Sequence, residues 1–67
     1  MKVGDEVEIV PSEELAEMYL MALVNVKGVI KEIVTGSKGN IRGCWVELSV
    51  PYLDEQEWYI PKESLNY

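Results

Sequence analysis

Ser12, Ser37, Ser49 and Ser64, with the single thiol of Cys44, are the nucleophiles that covalent catalysis would draw on in this sequence. Hydroxyl nucleophiles need an adjacent base, and the chain has no histidine to supply the commonest one. The same lack removes the commonest zinc ligand. One cysteine excludes a disulfide within the chain and any CxxC metal knuckle. Cys44 stands among alternating apolar residues, so the expectation for it is a small buried core residue. Acid–base work by two carboxylates requires both in a cleft. Asp54, Glu55 and Glu57 instead read as a solvated loop tip, and they lack the glycine and ligand spacing of an EF-hand. The expectation is a non-enzymatic chain with no catalytic residue, no metal and no cofactor.

Contact chemistry is better represented. Tryptophan and tyrosine are frequent anchors of protein interfaces, and Trp45, Tyr52 and Tyr59 are the candidate contact residues. The apolar face of a helix near residues 12–23, with Met18 and Met21, is a second candidate surface. Lys27, Lys31, Lys38 and Arg42 form a basic island over residues 27–42, which hold only one acid, Glu32. Such charges either keep a hairpin from aggregating or touch an acidic partner or a phosphate backbone, weakly and with strong salt dependence. The chain as a whole has 12 acids, 6 bases and a formal net charge of −6, which disfavours tight non-specific binding to nucleic acid.

These residues need elements to position them. Val7 and Ile9 alternate with Glu6 and Glu8, a half-buried strand within residues 3–10 on which Val3 and Asp5 share the apolar parity. Ser12 followed by Glu13 and Glu14 is a helix start, with a capping hydroxyl and acids that suit the helix dipole. Leu15, Met18, Tyr19, Ala22 and Leu23 then predict one apolar stripe on a helix over 12–23. Lys27-Gly28 breaks the chain, and Val29, Ile30, Ile33 and Val34 follow as a strand. Its alternation slips between Ile30 and Ile33, which predicts a bulge near Lys31-Glu32. Residues 35–40 contain two glycines and read as a hairpin loop.

Residues 41–50 alternate most clearly. Cys44, Val46, Leu48 and Val50 share one face; Trp45, Glu47 and Ser49 share the other. Trp45 therefore points outward. It either packs beneath the helix stripe or stands exposed as an anchor for a partner. Pro51–Glu57 reads as a polar turn-like segment, and Trp58-Tyr59-Ile60 as a short strand stopped by Pro61, with Trp58 facing the core and Tyr59 away from it. Lys62-Glu63-Ser64 fits one tight helical turn, and Leu65-Asn66-Tyr67 a last short strand.

A length of 67 residues predicts a single domain over 1–67, one that buries only about 60% of its unfolded surface. The acidic start does not resemble a signal peptide. The apolar run Met18–Val26 falls far short of the roughly 20 residues that span a bilayer. With one free cysteine, the expectation is a complete, cytoplasmic small protein with no membrane partner.

The order strand, helical excursion, strand, hairpin, strand, tight turn, tiny strand resembles an SH3-like small barrel. Val3-Gly4-Asp5-Glu6-Val7 resembles the entry to the first strand of KOW-like barrels, and Lys27-Gly28-Val29-Ile30 the opening of their second. Residues 58–65, with Ile60-Pro61 leading to a 3₁₀ turn, resemble the end of eukaryotic SH3 domains. The resemblance implies a mainly β, five-stranded barrel with one α-helix at about 12–23 inserted between strands 1 and 2. It implies a protein-interaction module or accessory subunit with an unknown protein partner. The KOW-like alternative implies a nucleic-acid contact through Lys27, Lys31, Lys38 and Arg42. The sequence departs from peptide-binding SH3 domains at Ser64, where those domains present a tyrosine to the ligand groove.

Overall fold

The computed structural model describes all 67 residues. Its strands are β1 (Glu6–Ile9), β2 (Lys27–Thr35), β3 (Ile41–Tyr52), β4 (Glu55–Pro61) and β5 (Leu65–Asn66). They form one antiparallel sheet in the order β4-β3-β2-β1-β5. The protein is therefore mainly β and five-stranded, as the alternation implied. The expected closed barrel is not formed. β4 and β5 are the two edges of the sheet, and the 3₁₀ turn Lys62–Ser64 carries the chain from one to the other without a ladder between them.

Alternate residues of the strands supply the core, because successive side chains of a strand face opposite ways. Val7 and Ile9 of β1, Ile30 of β2, Cys44, Val46 and Leu48 of β3 and Ile60 of β4 are all buried. The bulge falls where the broken alternation placed it, as a register shift between Ile30 and Glu32 against β3. It lets Ile30 be fully buried and turns Ile33 only partly inward. Two apolar residues leave the faces that their parity suggested. Val3 precedes β1 and Val50 lies past the regular β3–β4 register, and both are exposed.

The helix is much shorter than its apolar stripe. α1 spans Glu13–Glu17, and a separate 3₁₀ turn follows at Met21–Leu23. Ser12 caps α1: its hydroxyl accepts the Leu15 amide at 3.1 Å. The other end closes as a Schellman motif, with the Leu20 amide donating to the Leu15 carbonyl at 3.1 Å and the Tyr19 amide to the Ala16 carbonyl at 3.0 Å. Tyr19 occupies the left-handed position, at φ 60°. A five-residue helix cannot carry a stripe extending seven and eight residues along. Leu15 and Leu23 are buried, but Met18, Tyr19 and Ala22 are exposed and Leu20 takes the core position instead.

The segment expected as a polar loop over Pro51–Glu57 is a hairpin. Only Leu53 and Asp54 lie outside the strands, both at positive φ (51° and 65°), between the paired residues Tyr52 and Glu55. Positive φ at both central residues is the hand of turn that suits twisted strands. The last elements match expectation: a tight turn at 62–64, then Leu65 and Asn66 paired with Ile9 and Glu8. No helix of the molecule is long and apolar enough to cross a membrane.

Candidate functional site

Two clefts flank Tyr59, and they differ in chemistry. β3 and β4 pair Trp45 directly with Tyr59. Their rings meet edge to face, with centroids 6.0 Å apart and planes at 67°, an arrangement that aromatic quadrupoles favour. Gly43 fixes where the tyrosine lies. A β-carbon at Gly43 would sit 2.7 Å from both Cζ and Oη of Tyr59, so the phenol ring covers the glycine backbone. Trp45 retains 40% of its exposure. Trp45 is thus not covered by the helix: it lines a cleft with Met18 and Leu20 and keeps a solvent-exposed surface.

An apolar groove of about 410 Å³ opens beside this pair. Trp45, Tyr59 and Trp58 line it together with Met18 and Leu20. The Trp58 indole donates to the Glu55 carbonyl at 2.9 Å, which fixes its ring beside the strand. Glu55 and Glu57 are the only charged side chains on the lining.

Tyr52, the third aromatic candidate, is not part of the pair. It packs on Trp58 with ring centroids 5.5 Å apart and rests partly buried against the core. Trp58, expected in the core, is half-buried and serves both the core and the groove. Leu20 was not expected here. It reaches the groove because the Schellman turn folds it back, and that turn has no glycine to announce it.

The second cleft, of about 500 Å³, is polar. Arg42 and Lys62 line it together with Glu14 and Glu63. A carboxyl–carboxyl hydrogen bond with Glu63, and then the Glu63 charge, hold Glu14 above the usual carboxylate range; Arg42 pulls the other way. Cations and anions are thus interleaved there.

The basic island is dispersed. Lys27 begins β2 opposite Glu8, Lys31 lies at the bulge, Lys38 lies in the hairpin loop beyond the end of β2, and Arg42 enters the polar cleft beside carboxylates. Cys44 is fully buried, and burial pushes its thiol pKa up. Its Sγ–H donates to Met1 Sδ at 3.3 Å. Ser64 is also buried, and its hydroxyl lies 2.6 Å from that of Ser12. The position at which SH3 domains present a tyrosine is thus part of the internal structure.

No family model matches the sequence, and no curated protein or solved structure is significantly similar to it.

Proposed function

We propose that this protein is an SH3-like domain with an open sheet that acts as a non-enzymatic protein-interaction module. Support for the SH3-like reading comes from the strand order, the helical excursion between β1 and β2, and the 3₁₀ turn before β5. The interaction reading rests on one observation: the exposed Trp45, locked edge to face on Tyr59, lines an apolar groove. A tryptophan held in one orientation loses little freedom on binding, so its contact area converts efficiently into affinity. The contact residues are Trp45 and Tyr59, with Met18 as an adaptable wall. Tyr52 acts behind them, through Trp58.

Affinity capture with the wild-type protein, the Trp45→Ala variant and the Val3→Ala variant tests this reading. Val3 is exposed and lies off the groove. A folded Trp45→Ala protein that loses a partner which Val3→Ala retains supports it. A folded Trp45→Ala protein that retains every partner rejects it, and so does a Trp45→Ala protein that no longer folds.

A further inference from the structure

We infer that the tip of the β3–β4 hairpin is a second contact surface, where Leu53, together with Val50, enters an apolar pocket of a partner protein whose rim carries lysine or arginine. Leu53 is 73% exposed and Val50 58%. Neither lines the two clefts or belongs to the core. Leu53 also sits at φ 51°, in the left-handed region. That region is costly for a residue with a β-carbon. It is ordinarily left to glycine, or to asparagine and aspartate, whose short polar side chains bond locally. Asp54, at φ 65°, fits that rule and Leu53 does not. A leucine there strains the turn and adds nothing to the core, so the fold gives no reason for it. Backbone strain of this kind collects at ligand-contacting positions.

Val50 is displayed by a second irregularity. Between the pairs Glu47–Glu57 and Tyr52–Glu55, β3 holds residues 48–51 where β4 holds only Gln56. The surplus bulges out of the ladder. The tip is nevertheless braced. The Gln56 side-chain amide donates to the Leu48 carbonyl at 3.4 Å, Tyr52 packs on Trp58, and the Trp58 indole donates to the Glu55 carbonyl at 2.9 Å. A knob held in place loses little freedom when it docks. Charge selects the occupant. Residues 48–61 hold Asp54, Glu55 and Glu57 and no base, and all three carboxylates are exposed. The leucine thus emerges from an acidic surround, which a basic rim complements. The same acids repel an anionic bilayer and the matching tip of a second copy.

The test uses β-cyclodextrin, a small apolar cavity, with either ammonium or sulfate groups on its rim. Each form is titrated into protein carrying labelled leucine and valine methyls, and NMR shifts are followed. The ammonium form is expected to shift the Leu53 methyls and to bind there about tenfold more tightly than the sulfate form. High salt should erase that difference. Leu53→Asn should abolish the accompanying shifts at Val50 and Asp54. It should melt no lower than wild type, because asparagine tolerates the left-handed region. Equal binding of the two forms, or no shift at Leu53, overturns the inference. A Leu53→Asn protein that melts well below wild type overturns it too, since the leucine would then serve the fold. Co-sedimentation of wild type, but not of Leu53→Asn, with phosphatidylcholine vesicles would assign the tip to a lipid surface. A dimer that Leu53→Asn dissolves would assign it to a second copy. Either result overturns the inference, and none of them bears on the Trp45→Ala test of the groove.

Discussion

Ser12 Oγ and Ser64 Oγ lie 2.6 Å apart although 52 positions separate them in the chain. The Ser12 hydroxyl also caps α1, so one oxygen joins the helix start to the turn before β5. Loss of a buried hydrogen bond costs about 1 kcal/mol, and loss of an N-cap a similar amount. Ser64→Ala and Ser12→Ala should each lower unfolding stability in urea by about 1–2 kcal/mol. The double variant should lose less than the sum, because the two share one network. Full additivity would mean that the two hydroxyls do not cooperate.

Tyr19 holds the left-handed residue of the Schellman motif with its side chain 90% exposed. A side chain there carries a steric cost of about 1–2 kcal/mol, which glycine avoids while losing more chain entropy on folding. Tyr19→Gly should therefore raise stability by about 0.5–1 kcal/mol. Thermal unfolding followed by far-UV circular dichroism measures it. Tyr19→Ala should give no such gain.

Gly43 keeps the Tyr59 ring against the strand. Gly43→Ala should displace both that ring and the paired β4 backbone, because the added β-carbon would also clash with the Ile60 carbonyl oxygen, at a cost of about 3 kcal/mol from overpacking. The near-UV signal of the Trp45–Tyr59 pair should change with it. An unchanged near-UV spectrum would mean that the tyrosine is positioned by something else.

Glu14 has its folded pKa raised by the hydrogen bond and charge of Glu63. A raised carboxyl pKa means that the folded state binds the proton more tightly than the unfolded chain. Stability should then fall as pH rises from the ordinary glutamate value through the raised one, and stay lowered above it. Glu14→Gln should remove that step and raise the neutral-pH melting temperature slightly, by an amount that solvent exposure keeps small. The check is a series of unfolding midpoints against pH for both proteins.

Cys44 is shielded both by burial and by its raised pKa. A thiol reagent such as a disulfide chromogen should label it only when the protein opens, since the thiolate is the attacking species. The labelling rate in native buffer should be orders of magnitude below that in urea, and stabilising variants such as Tyr19→Gly should slow it further.

The strands were legible because the sheet buries one face. The alternation of Cys44, Val46 and Leu48 against Trp45 and Glu47 gave β3, and the slip between Ile30 and Ile33 gave the bulge. Two of the differences, the helix end and the β3–β4 connection, lie at backbone positions with positive φ. Tyr19 ends a helix without the usual glycine or asparagine, and Leu53-Asp54 makes a hairpin turn in which only Asp54 is a usual residue, with no glycine beside it. Hence the apolar stripe predicts a helix over 12–23 where α1 ends at Glu17, and the polar run 51–57 predicts a turn-like segment where β3 and β4 form a hairpin. Half of the site followed from parity, which put Trp45 and Tyr59 on one face. Leu20 and the acids of β4 did not, because their places depend on those two turns. The Ser12–Ser64 contact carries no local pattern at all.

The edge position of β5 has a kinetic consequence. Its two residues pair only with Glu8 and Ile9, at the opposite extreme of the chain. That closure spans more than fifty residues, and its entropic cost precedes any reward from the contacts it makes. Zipping of the two central hairpins brings no such delay. The last ladder to form, and the first to fray, is therefore the one joining head to tail.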